Sequence, residues 1–303
     1  MVSLHTRLTD GAYAEHVAFW ARALDAFQDD FRVRQPWLSR PAARGSAATV
    51  LCSLDDADRE RIGHLGRHDD LGVSAVVLAA VSVALAAATR GEQVVIETPQ
   101  LADAAGSGAE PFVPVVLTAD AESTVRAHLQ QVAAVLADTY SFQPFPVREF
   151  AAFRSPRALP ATNVCFALEG LHAATPPGPE HQLRVRVSRA PSLQIALEGV
   201  GEALPEDYLH ALAALVTRAI RAYGQLDGRL TDVDLIGDDA RRALLARGGT
   251  PGAAAPTDTI PALFEAQVEQ NGAAEALRLD GHSTSYAELN RQANRLAHAL
   301  TRN

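Results

Sequence analysis

No lysine occurs anywhere in the 303 residues; all 27 basic side chains are arginine. That removes the amine needed for a Schiff base, a lysine general base or a lysine-capped phosphate loop. Beside so much alanine, the bias reads as codon usage in a GC-rich genome rather than selection at a site. Cysteine is scarce as well. Cys52 and Cys165 are the only two, both in apolar runs, so no disulfide framework is expected and a reducing compartment fits. They stand too far apart for metal-ligand spacing, and no metal site is expected. Positive charge is outnumbered: 36 acidic side chains leave a formal net charge of -9. A general nucleic-acid binder needs the opposite balance to displace counterions. The longest apolar run, GVSAVVLAAVSVALAAATRG at 72–91, is rich in alanine and interrupted by Ser74 and Ser82. It reads as a buried core helix, not a membrane span. The first residues, MVSLHTRLTDGAYAEH, hold no basic segment followed by an apolar one, so no secretion signal is read and a cytoplasmic location is expected.

What is there is enough for a core: 48% hydrophobic and 21% charged residues exclude a disordered tail. GAYAEHVAFWARALDAF predicts a helix whose stripe is Val17, Trp20, Ala21 and Leu24. A proline- and arginine-rich loop, RQPWLSRPAARGSA, leads to a strand in ATVLCSL. DDADRERIGHLGRH opens on aspartate caps and continues as a charged helix. The alanine-rich helix then runs into EQVVIETPQ, a strand ending at Pro99, and this order predicts an α/β layer. In PFVPVVLTAD, Pro114 demotes the strand to an edge or a bulge. ESTVRAHLQQVAAVLADTYS is a long helix, FQPFPVREFAAFRSPRALP a crossing loop around a short one, and TNVCFALEG a strand. QLRVRVSRAPSLQIALEGV is a hairpin, alternating Leu183, Val185 and Val187 with Arg184 and Arg186, then resuming at Leu193, Ile195 and Leu197. PEDYLHALAALVTRAIRAYGQL is a helix.

After Gly228 the texture changes to one short strand, one short helix and a Gly/Ala/Pro linker. IPALFEAQVEQNG follows as an amphipathic helix with Leu263, Phe264 and Val268 facing inward. EALRLDGHSTSY is a short strand and turn. The closing STSYAELNRQANRLAHALTRN opens on Ser285 and Glu288, the spacing of a capping box. Its face of Tyr286, Leu289, Ala293, Leu296, Ala297 and Leu300 demands a partner surface.

Two stretches resemble known families. The run TIPALFEAQVEQNGAAEALRLDGHSTSYAELNRQANRLAHALTRN resembles the start of an adenylation domain of a nonribosomal peptide synthetase. That family's phosphate loop, acidic metal ligands and catalytic lysine belong to later segments that this sequence does not hold. The body, through AEHVAFWARALDAF, LGVSAVVLAAVSVALAAATRGEQVVIETPQ, PFVPVVLTAD, YSFQPFP and TNVCFALEG, resembles the C-terminal half of a condensation domain. DLIGDDARRALLARGGTPGAAAP is similar to the linker between the two. The resemblance implies a chloramphenicol-acetyltransferase-like lobe, a mixed sheet with flanking helices, over 1–227. It implies a linker over 228–258 and a small helical N-terminal piece of an adenylation domain over 259–303.

The departures carry the functional expectation. Condensation domains bear His-His-x-x-x-Asp-Gly, and none of the ten histidines here is followed by a second. Pro114 stands where the family has asparagine, Asp103 and Ala104 where it has Gly-Arg, and Phe142 where a histidine precedes Gln143. Gln143 and Asn163 remain as candidates for a remnant of the substrate tunnel. Catalytic residues are therefore expected to be none, and no cofactor is expected on this chain, with phosphopantetheine carried by a partner carrier protein. Leu263, Phe264, Val268, Tyr286, Leu289 and Leu296 are candidates for interdomain packing.

Local chemistry is weighed against blander readings. His68 beside Asp69 and Asp70 is a base candidate or a solvated interhelix loop. Cys165 is a nucleophile or a small hydrophobe on a strand. Arg184, Arg186 and Arg189 meet a phosphate or form a solvated strand face paired with Glu198. Three functions follow: a non-catalytic platform for an adjoining adenylation domain, half of a split condensation enzyme completed by a separate N-terminal lobe, or an adaptor docking a carrier protein or neighbouring subunit. Partners are expected among synthetase parts, with no nucleic acid and no membrane.

Overall fold

Acidic and hydroxyl side chains start the helices. Asp55 and Asp58 form a reciprocal capping box, the Asp58 N–H donating to Asp55 at 2.8 Å and the Asp55 N–H to Asp58 at 3.3 Å. Asp69 accepts from the Gly72 N–H at 2.6 Å and Thr124 from the Ala127 N–H at 3.1 Å. A computed structural model describes residues 13–25, 31–33, 48–104, 111–143, 145–154, 162–200, 204–248, 259–279 and 281–301. The loop expected across 34–47 lies outside them. The chain divides into two compact units, Met1–Gly237 and Asp238–Asn303.

In the first unit the elements are α1 (Ala14–Asp25), β1 (Thr49–Leu51), α2 (Asp56–Leu65), α3 (Asp70–Thr89), β2 (Gln93–Pro99), β3 (Phe112–Thr118), α4 (Val125–Ser141), α5 (Val147–Arg154), β4 (Val164–Leu168), β5 (Leu183–Ser188), β6 (Gln194–Gly199) and α6 (Glu206–Ala222). Six strands join in the order β1-β6-β5-β4-β2-β3. β4 runs parallel to both β2 and β5, and the remaining pairs are antiparallel, so the sheet is mixed. Pro114 sits in β3, at the sheet edge, where a missing donor costs least.

Side chains alternate between two faces. Val94, Ile96, Val164, Phe166, Leu168, Leu183, Val185, Val187, Ile195 and Leu197 are fully buried and share the core with α3, α4 and α6. α3 packs against both other helices and against β2 and β4. It is long and apolar enough to cross a membrane, yet every residue from Val73 to Leu85 is buried inside the lobe, Ser74 and Ser82 included. Each buried Val or Leu here contributes roughly 1.5–3 kcal/mol.

The opposite face carries Glu97, Cys165, Arg184, Arg186 and Glu198, placed together by the register Glu97↔Cys165, Cys165↔Arg184 and Arg184↔Glu198.

The short strand expected after Gly228 is not formed. A 3-10 turn, Leu230–Asp232, takes its place. Acidic residues flank the few apolar ones there, and the backbone is already committed elsewhere. Leu230 and Thr231 donate to the carbonyls of Ser123 and Ala121, while the Leu230 side chain anchors in the core. The first unit continues from there to Gly237.

The second unit holds α7 (Asp238–Gly248), α8 (Ile260–Asn271), the hairpin β7 (Glu275–Leu279) with β8 (His282–Ser285), and α9 (Tyr286–Thr301). The one expected strand is thus a two-stranded hairpin, closed around Gly281 at φ 80°. Ser285 caps α9 by accepting from the Glu288 N–H at 3.3 Å, while the Glu288 carboxylate takes bonds from Arg291 and Gln292.

Candidate functional site

The charge-bearing face of the sheet brings Glu97, Cys165, Arg184, Arg186 and Glu198 together from four strands. Glu97 is a carboxylate in a largely apolar strand and is only 6% exposed. A buried charge must be paired, and two partners arrive from distant segments. Arg148 on α5 donates to one oxygen at 2.6 Å, and His181 Nε2 lies 2.8 Å from the other. Glu180 approaches the same guanidinium at 3.7 Å. The Gly178 N–H donates to His181 Nδ1 at 2.8 Å. Nδ1 therefore carries the lone pair and Nε2 carries the proton that Glu97 accepts.

Among the described residues, Glu97, Glu180 and His181 are the one grouping with metal-ligand composition, their ligand atoms lying within 4.8 Å of one another. The hydrogen bonds oppose that use. A metal at Nε2 would drive the proton to Nδ1, against the Gly178 N–H, and the Arg148 cation already pairs with both carboxylates. The arrangement is a closed ion-pair cluster.

Further along the same face, Glu198 accepts from Arg186 Nε at 2.7 Å and stands 3.7 Å from Arg184. Glu169 accepts from Arg186 Nη1 at 2.7 Å, and hydrogen bonds from Arg186 and then Ser188 hold its carboxyl below the usual range. The pairing expected between these strand arginines and Glu198 is what forms. Arg189 departs from it, pairing instead with Asp70 and donating to the His68 carbonyl at 3.2 Å.

A second buried pair lies past the end of β2. The Tyr140 hydroxyl and His172 Nε2 are hydrogen-bonded, and His172 Nδ1 accepts from the Leu168 N–H at 2.8 Å. Burial holds the imidazole down to about 4, so it stays neutral, and burial pushes the Tyr140 hydroxyl up.

The residues singled out in the sequence fall as follows. Asn163 is buried, its amide oxygen accepting from the Val33 N–H at 2.9 Å and its nitrogen donating to the Val33 carbonyl and to Gln182, both at 2.7 Å. Gln143 is half-buried and accepts from the Leu101 N–H at 3.4 Å. Burial pushes the thiols of Cys52 and Cys165 up to about 12, and they pack as small hydrophobes. Asp69 is spent on capping α3, and the His68 ring stands edge-on to His64, 5.1 Å between centroids.

Within the second unit, Phe264 meets Tyr286 at 6.0 Å between rings. Val268 and Leu289 are half-buried, whereas Leu263 and Leu296 are exposed. Sequence reasoning missed Glu97, Arg148, His181, Tyr140 and His172. A glutamate inside QVVIETP was the available signal; nothing local marks its partners.

No family model matches the sequence, and no curated protein matches it. Solved structures do. The chain is similar to the complex of the X-domain and OxyB from teicoplanin biosynthesis, with a TM-score of 0.57 and 20% identity over 74% of this chain and 56% of that one. It is similar to a four-domain nonribosomal peptide synthetase bound to AMP and glycine, at 0.61 and 15% over 98% of this chain and 26% of that one. It is also similar to the first condensation domain of the calcium-dependent antibiotic synthetase in complex with a substrate analogue, at 0.54 and 15% over 76% and 55%. The first unit therefore has a condensation-domain-like α/β fold. The chain spans about half the length of the X-domain and condensation chains and about a quarter of the four-domain synthetase.

Proposed function

We propose that this chain is part of a nonribosomal peptide synthetase: a non-catalytic condensation-like lobe over 1–227, a linker over 228–258, and the opening of an adenylation domain over 259–303. The lobe is a cytoplasmic platform on which the adenylation domain is built. One observation carries the reading. Among the described residues, the buried groups of the sheet and its margins that could do acid–base or nucleophilic work are engaged internally: Glu97 with Arg148 and His181, Tyr140 with His172, while burial holds the Cys52 and Cys165 thiols protonated. None of the histidines is followed by a second, so the paired-histidine motif is not supplied by this sequence.

Two facts support the tail assignment. The likeness to the four-domain synthetase runs over 98% of this chain and so includes the tail. Leu263, Leu296 and Leu300 are exposed, apolar area that the body of an adenylation domain would cover. The remainder of that domain and a phosphopantetheine-bearing carrier protein are the partners this reading implies, and this chain itself holds no cofactor.

The preserved six-strand order favours a second reading, in which a separate lobe bearing His-His-x-x-x-Asp-Gly completes a condensation site. One assay separates the two. The chain is mixed with aminoacyl thioesters of N-acetylcysteamine, and dipeptide is measured with and without an added N-terminal lobe. The platform reading expects the buffer rate in both mixtures. Amide formation by the chain alone would overturn it, and formation only with the added lobe would install the split enzyme in its place.

A further inference from the structure

The outer, helical side of the lobe holds a cleft of about 580 Å³ between the start of α3 and the first turns of α4. That volume lies within the range of small-molecule sites. Its walls are mostly apolar, built by Leu65, Leu71, Ala75, Val76, Leu129 and Leu226, with Gln130 and the Asp69 carboxylate also in the lining; Asp69 accepts from the Gly72 N–H at 2.6 Å. All four leucines remain only partly covered by the protein's own side chains, so the cleft holds apolar surface still facing water.

The mouth is rigid. The Gly66 and Gly72 backbones touch so closely that a Cβ on Gly72 would stand 2.2 Å from the Gly66 carbonyl oxygen. Arg67 follows at φ 52°, a left-handed conformation that a side-chain-bearing residue rarely adopts. Arg67 lines the rim of the cleft. Arg126 stands on the other rim, its Nε and Nη2 at 3.1 and 3.0 Å from Asp227. Arg67 differs: among the described residues it has no ion-pair partner. With Asp69 turned to the Gly72 N–H and Arg126 to Asp227, Arg67 is the cation left to meet an anionic head group over a mostly apolar cleft.

We propose that this cleft binds a small anionic amphiphile, its apolar body between α3 and α4 and its carboxylate or phosphate on Arg67. From Arg126 to Ala133 the α4 wall runs about 10 Å at 1.5 Å per residue, room for a medium-length chain or one aromatic bicycle. The site lies among the helices, on the side of the sheet opposite Glu97, and is independent of the platform reading.

The test is titration calorimetry of the full chain with three probes below their micellar concentrations: octanoate, octyl phosphate and neutral octanol. Octanoate or octyl phosphate is expected to bind one to one, about tenfold tighter than octanol, the factor that roughly 1.4 kcal/mol of head-group pairing supplies. Whichever anion is tighter names the head group. Arg67→Gln should erase the tenfold preference for the anions and leave octanol unchanged. Ala133 lines the cleft and its side chain is exposed, so Ala133→Phe can fill the cleft without disturbing the core and should abolish binding of all three. No anion binding to the parent chain overturns the proposal, and so does binding that survives Ala133→Phe or a preference that survives Arg67→Gln.

Discussion

Asn163 spends both ends of its amide inside the lobe. It pins Val33, 130 positions earlier in the chain, through a donated and an accepted bond, and reaches Gln182 with a third. Truncation would leave the Val33 N–H and C=O without those partners, and a buried orphan costs about 1–3 kcal/mol. Asn163→Ala is expected to lower the unfolding free energy by about 3 kcal/mol in urea; a loss under about 1 kcal/mol would mean that Val33 is held by something else. His172 sets a pH dependence. An ordinary histidine takes its proton near 6.5, and burial holds this one to about 4. The unfolded chain therefore gains a proton below 6.5 that the folded chain refuses. Stability is full above 6.5 and falls as pH drops towards 4, by about 3 kcal/mol from this residue when complete. Urea unfolding at pH 7 and 4.5 should show the parent losing about 2 kcal/mol more than His172→Gln; equal losses would remove His172 from the acid response. At this scale the sequence was partly legible. Cys165 read correctly as a strand residue, and Asn163 and Gln143 stood out as candidates for a tunnel remnant near a strand and a loop, without the bonds they make to Val33 and Leu101. The partners of Glu97 did not, because Arg148 and His181 reach it across 51 and 84 positions.

Elements were the most legible level, because periodicity and caps are local. Pro114 forecast an edge strand, and β3 is the sheet edge. Ser74 and Ser82 forecast a buried helix, and α3 is one. The short strand after Gly228 failed because tertiary bonds to Ser123 and Ala121 outweigh a weak local preference. The tail strand proved to be a hairpin, since the turn at Gly281 was read without its second strand. The α2–α3 junction was not legible at all: nothing in GHLGRHDDLG says that Gly66 and Gly72 touch. Gly72→Ala is expected to cost about 2 kcal/mol or more, because its methyl meets a backbone oxygen that has no rotamer to move into. A thermal melt indistinguishable from the parent would show that the junction gives way freely.

At the scale of the molecule, the first unit has a condensation-domain-like fold, and the carboxylates of its charged sheet face are paired with arginines and His181. The proposed platform is this lobe followed by the opening of an adenylation domain, within a synthetase. The most direct measurement is the intact mass of the native polypeptide from the organism that makes it. The native chain is expected to continue well past Asn303 into an adenylation body, whose apolar surface covers Leu296 and Leu300. A native chain ending at Asn303 would contradict it.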